Sequence, residues 1–116
     1  MENFLITKKE EVVIEEVNLV KATREQAEEF KIILLNHIEE GNTKLVIDLH
    51  QCDFVDSTFL STLLIALKAV MAKGGILKIA ALKNDVAEVM EATGMYKVFE
   101  IYSSISEAVE SFKKLS

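Results

Sequence analysis

The 116-residue chain contains no proline, one cysteine and only four glycines. Without proline, no helix or strand pattern is broken from within. A lone cysteine, Cys52, excludes an internal disulfide and fits a reducing cytoplasm. No apolar run approaches the roughly 20 residues that cross a bilayer. Met1-Glu2-Asn3-Phe4 lacks the basic start and long apolar stretch of a secretory signal. Positive charge is also scarce: 13 Lys and Arg against 19 Asp and Glu leave a formal charge of −6. With no basic cluster to offset it, nucleic acid and a membrane surface are both excluded as main partners. Catalytic signatures are missing as well. There is no GxGxxG or GxxxxGK[ST] loop, and no GxSxG elbow surrounds any serine.

What is present describes a packed domain. Half the residues are hydrophobic and 28% are charged, the balance of one compact unit over residues 1–116. Phe4 to Lys8 and Val12 to Leu19 are branched and apolar around the polar pair Lys9-Glu10, which predicts a hairpin. Thr23-Arg24-Glu25-Gln26 reads as a capping box, followed by a helix that turns Ala27, Phe30, Leu34, His37 and Ile38 inward until Gly41 stops it. Leu45-Val46-Ile47-Asp48-Leu49 reads as a buried strand. The next helix places Phe59, Leu60, Leu63, Leu64, Leu67, Val70 and Met71 on one side, and Gly74-Gly75 ends it. Ile76 to Ala81 is a further strand. A short helix capped by Asn84 or Asp85 follows, with Val86, Val89 and Met90 inward and Gly94 as its stop. Val98 to Ile101 is the last strand. Ser104-Ile105-Ser106-Glu107 is a second capping box, opening a helix with Ile105, Ala108, Val109, Phe112 and Leu115 inward and Lys113 and Lys114 near its end. The order β-β-α-β-α-β-α-β-α calls for crossovers. It therefore predicts an α/β fold with a mixed, mainly parallel sheet, an N-terminal antiparallel hairpin and about four helices.

Most candidate chemistry resolves into structure. His50 and Cys52 are two lone ligands in a loop and do not make a metal site, so no metal or other cofactor is expected. Cys52 reads as a small buried hydrophobe. Asp48 and Asp56 are able to face each other across the sheet end, yet most of the 19 acids are simply solvated. The pairs Glu10-Glu11, Glu15-Glu16, Glu28-Glu29 and Glu39-Glu40 are expected on exposed faces. Asp56-Ser57-Thr58 is different, because two hydroxyls stand where a helix begins. Either Asp56 or Ser57 caps that helix. A phosphate there is also electrostatically welcome, since free N–H groups and the positive end of the dipole point at it. It adds about two negative charges without requiring the domain to unfold. Ser57 and Ser61 lie one turn apart and Lys68 eleven residues beyond Ser57, forming one polar stripe.

At these residues the chain resembles the STAS domain family, in its bacterial anti-sigma factor antagonist form. The matching core is Val46-Ile47-Asp48-Leu49, then Phe54-Val55-Asp56-Ser57-Thr58 and Leu60. The likeness continues through Gly74-Gly75 and Ala92-Thr93-Gly94-Met95-Tyr96-Lys97-Val98-Phe99. Where the family often has glycines two and four positions after the serine, this chain has Phe59 and Ser61. The resemblance implies a non-enzymatic partner switch. The unphosphorylated antagonist binds an anti-sigma factor serine-protein kinase and so frees a sigma factor. Phosphorylation of Ser57 ends binding, and a serine phosphatase resets it. ATP and magnesium belong to those partners. Thr58 is a second candidate phosphoacceptor, Asp56 supports the site, and Ser57, Thr58, Phe59, Ser61, Lys68 and Thr23 form the expected contact surface. The competing expectation is a non-switching STAS scaffold or a transporter-associated module. A homodimer stays open.

Overall fold

A computed structural model describes residues 2–113. Strand β1 (Phe4–Lys9) turns through Glu10 and Glu11 into β2 (Val12–Val17), and the two pair antiparallel. Both turn residues hold the left-handed conformation, φ 52° and 69°, as a two-residue hairpin turn of matching twist requires. A short strand β3 (Lys21–Ala22) leads into α1 (Arg24–Glu39), and β4 (Lys44–Asp48) follows. A second short strand, β5 (Phe54–Val55), leads into α2 (Ser57–Met71). Then come β6 (Ile76–Ala80), α3 (Asn84–Ala92), a 3₁₀ turn over Met95–Lys97, β7 (Glu100–Tyr102) and α4 (Ile105–Lys113).

The main sheet runs β1-β2-β4-β6-β7, parallel except for the hairpin, and β3 and β5 form a separate parallel ribbon. This is the mixed α/β architecture expected, with two short strands added. Alternation along each strand divides the sheet into two faces. Val13, Val17, Leu45, Ile47, Leu77 and Ile79 pack under α1, α2 and α3, while Val12, Ile14, Val46 and Ala80 pack under α4. Gly75 fits against Thr43, where the Thr43 carbonyl would collide with any Cβ.

Some expectations shift by a residue or two, each for a local reason. The second strand ends at Val17, and the 98–101 strand is Glu100–Tyr102. The 3₁₀ turn consumes Val98, whose N–H donates to the Met95 carbonyl at 3.0 Å. Neither Asn84 nor Asp85 caps α3. Lys83 holds the cap position with extended backbone, and its carbonyl accepts the Ala87 N–H at 2.9 Å. Met71 is 58% exposed, because α2 has rolled Thr62 and Ala66 inward instead. The Ser104 box is half formed. Ser104 Oγ accepts the Glu107 N–H at 3.1 Å, but the Glu107 carboxylate turns to the Ser103 hydroxyl. The expected positions of Lys114 and Leu115 lie outside the described residues.

One acid departs outright. Glu15, expected on an exposed face, is 0% exposed. Its place between Val13 and Val17 on β2 aims it at the core under the three helices. Its register neighbours are Ile6 on β1 and Ile47 on β4. Both carboxyl oxygens lack a hydrogen-bond partner among the described residues. Burial therefore pushes its pKa up to about 8, and the group is held as the neutral acid at pH 7. On the opposite face Lys78 is buried but well paired. Its Nζ donates to Ser111 Oγ at 2.7 Å, meets Glu100 at 3.3 Å and lies 4.2 Å from the Phe112 ring centre.

The Glu15 carboxyl has a testable consequence. Its pKa is raised from 4.5 on folding to about 8, so the native state keeps a proton that the unfolded chain releases. This contribution to stability is fully present below the unfolded value and is lost as pH rises toward the folded one, by at most about 1.4 kcal/mol per pH unit. Glu15→Leu removes both the titration and an unsatisfied buried group. Urea unfolding at pH 5, 6, 7 and 8 is expected to show the variant gaining on the wild type with each step, by roughly 1–3 kcal/mol at the alkaline end. Parallel pH profiles for the two proteins would overturn this account.

Candidate functional site

The β3–β5 ribbon builds the site. Lys21 pairs with Phe54 and Ala22 with Val55, and the Asp56 N–H donates to the Ala22 carbonyl at 3.1 Å. This pairing brings the residues before α1 and before α2 together, although they are 33 positions apart (56 − 23) in sequence. Thr23 caps α1. Its hydroxyl accepts the Glu25 N–H at 3.3 Å while Gln26 Oε1 accepts the Thr23 N–H at 3.0 Å, completing the capping box read from the sequence. Asp56 caps α2 with extended backbone, and its Oδ1 accepts the Phe59 N–H at 2.9 Å. Its other oxygen accepts the Arg24 N–H, also at 2.9 Å. A single carboxylate thus satisfies one first-turn donor on each of two helices.

The choice left open between Asp56 and Ser57 as cap is thereby decided for Asp56. Ser57 becomes the first residue of α2, exposed to solvent. Its carbonyl accepts the Ser61 hydroxyl at 2.9 Å, but its own hydroxyl makes no hydrogen bond among the described residues. Thr58 is likewise exposed and lines a groove of about 290 Å³ between α1 and α2, together with Ser61, Arg24 and Lys31. Lys68 is exposed two turns further along α2, separated from Ser61 by the exposed Ile65.

Phe59 is a correction. Expected in the contact surface, it is 0% exposed and stacks on Phe30 with ring centres 4.5 Å apart. Phe30 in turn stacks on Phe4 at 5.2 Å. The rotation of about 100° per residue along α2 turns position 59 into the core beside α1, so its ring fills core volume and is not a contact for a partner. Thr23 is half-buried and its hydroxyl is occupied as a cap, which makes it a positioning group.

The other candidates fall elsewhere. Asp48 and Asp56 have separate partners. Asp48 accepts the His50 backbone N–H at 3.0 Å and bonds His50 Nδ1 at 2.9 Å. His50 therefore pairs with Asp48 and not with Cys52. Cys52 is buried, and burial together with the nearby Asp48 pushes its thiol up to about 12, which keeps it protonated and unreactive. Glu16, Asp48 and His50 each offer one donor atom within 4.8 Å of the others, a grouping the sequence did not suggest. The register pairs Glu16 with Asp48, and Gln51 Nε2 donates to Glu16 at 2.9 Å. These bonds tie the loop after β4 to the end of β2.

Comparison with known proteins agrees with this architecture. The STAS domain family model matches residues 23–108, so the chain belongs to the STAS family. BtrV of Bordetella bronchiseptica, named as a candidate anti-sigma factor antagonist, is 30% identical over 87 residues, covering 75% of each chain. A candidate anti-sigma factor antagonist from Thermotoga maritima superposes with a TM-score of 0.85 at 26% identity, over 93% of this chain and 92% of that one. The Bacillus cell fate determinant SpoIIAA, in its phosphorylated form, shares the fold at a TM-score of 0.74 and 15% identity, over 94% and 98% of the two chains.

If Asp56 joins the two helix starts, Asp56→Ala leaves two backbone donors without their acceptor. The expected loss is about 2 kcal/mol, read as a fall in Tm of roughly 8–15 °C. Asp56→Asn keeps one acceptor oxygen and should fall between. A thermal melt of Asp56→Ala that overlays the wild type would show that the carboxylate holds nothing.

Proposed function

We propose that this STAS protein is an anti-sigma factor antagonist that works by partner switching, with Ser57 as the phosphoacceptor. The unphosphorylated form binds an anti-sigma factor serine-protein kinase and so frees a sigma factor. Transfer of phosphate to Ser57 ends the complex, and a serine phosphatase restores it. ATP and magnesium are supplied by the kinase, the chain itself has no catalytic role, and the exchange takes place in the cytoplasm. Among the described residues no helix is long and apolar enough to cross a membrane.

The observation that carries this reading is the state of the Ser57 hydroxyl. A serine at a helix start is ordinarily consumed as a cap, but here Asp56 does the capping and leaves the Ser57 hydroxyl exposed and unbonded. An incoming kinase therefore has no native hydrogen bond to break. The added phosphate carries close to two negative charges at pH 7 and stands on the face formed by Ser57, Ser61 and Lys68, where a partner fitted to a bare hydroxyl meets both bulk and charge.

Incubation with the cognate kinase and ATP–magnesium is expected to place one phosphate on Ser57, mapped by mass spectrometry, with Ser57→Ala preventing it. Ser57→Asp should weaken kinase binding at least tenfold while circular dichroism stays unchanged. An unmodified Ser57 after such incubation, or undiminished binding by a folded Ser57→Asp, would end the proposal.

A further inference from the structure

The groove between α1 and α2 contains an arrangement that the Ser57 reading does not use. Its lining includes Thr58 and Ser61 together with Arg24, Lys31 and Glu28. Ser57 is not part of that lining, although its neighbour Thr58 is. Arg24 is the chain's only arginine among 13 basic residues. Its backbone N–H is held by Asp56 Oδ2 at 2.9 Å, which fixes its Cα beside the start of α2. Its guanidinium makes no ion pair among the described residues, in a chain with 19 acids. The one carboxylate in the groove, Glu28, is already paired with Lys31 at 3.2 Å. What remains is an arginine with no ion pair among the described residues, lining the same groove as a threonine, and arginine is the residue type whose planar fork best matches a phosphate.

We infer that the α1–α2 groove is a phosphate subsite filled by a phosphate ester on Thr58, with Arg24 as its principal ligand and Lys31 as a second cation. The inference rests on the partner-switching reading for the source of the phosphate. Thr58 Oγ1 attacks the terminal phosphorus of a nucleoside triphosphate, the bond from that phosphorus to the β,γ-bridging oxygen breaks, the nucleoside diphosphate leaves with that oxygen, and the hydroxyl proton passes to a base on the transferring kinase. The two phosphoforms then differ in kind. A phosphate on Ser57 stands out toward a partner. One on Thr58 folds back and links α1 to α2 through Arg24.

The test installs phosphothreonine at position 58, or phosphoserine at position 57, in the full chain by genetic encoding, and follows each by phosphorus NMR titration. An arginine beside the ester lowers its second pKa from the usual value near about 6. For the Thr58 ester, Arg24→Gln is expected to raise that pKa by roughly 0.5–1 unit, and Arg24→Lys to recover part of the shift. The Ser57 ester should not respond. No response at Thr58, or an equal response at both positions, overturns the assignment. The readout needs no kinase, so failure of Ser57 to be phosphorylated would remove the proposed function and leave this result standing on its own.

Discussion

The structure around the site depends on the Asp56 carboxylate, whose two oxygens each accept a backbone N–H, one from α1 and one from α2. Helix starts leave their first N–H groups without intrahelical partners, and two starts that converge would double that deficit. The β3–β5 ribbon forces the convergence, since it feeds both helices from adjacent parallel strands. Asp56 and the Thr23–Gln26 capping box together satisfy the result. The same division of labour frees Ser57, because a serine that capped α2 would have its own hydroxyl bonded to a first-turn N–H.

Rigidity behind the site comes from the rings of Phe4, Phe30 and Phe59, which link β1, α1 and α2 in one stack. Burying a ring of this size is worth about 1.5–3 kcal/mol relative to leaving it exposed. Phe59 thus does a different job from a family glycine at that place. It locks the first turn of α2 onto α1, two residues from Ser57. The departure from the family pattern is accommodated in the core, and the surface around Ser57 stays open. The polar pairings of Lys78 and of Asp48 with His50 are confined to strand positions that alternate with the residues of this core.

Much of this was legible in the sequence because it is written locally. Hydrophobic spacing of three and four placed α1 and α2, and Thr23 with Gln26 signalled a cap that formed as read. The strand β4 and its hairpin neighbours followed from short branched runs. Features that depend on distant chain were not legible. The Asp56–Arg24 bond spans 32 residues, and the grouping of Glu16 with Asp48 follows from strand register. Glu15 was misread because a glutamate beside a second glutamate looks solvated. Only the strand's alternation, weighed against two flanking valines that point inward, would have exposed it. Phe59 was misplaced for a related reason: its side on the helix was read correctly as apolar, but the family comparison drew it to the surface.

The geometry also changes what a phosphate on Ser57 would meet. A helix start with no cap attracts an anion through its free N–H groups and the positive end of its dipole. Here the Phe59 N–H is already taken, and by a carboxylate that brings its own negative charge to the same turn. A Ser57 phosphate would therefore gain less from the dipole and would be repelled by Asp56. Neither effect draws it inward. It would be held at the surface, where close to two charges at pH 7 act on an approaching partner more than on the fold. Thr58, one residue later, lines the same groove as Arg24, and a phosphate there would have that cation within reach of the groove. Two adjacent exposed residues, separated by about 100° of helix rotation, thus differ in setting: Thr58 lines the α1–α2 groove and Ser57 does not.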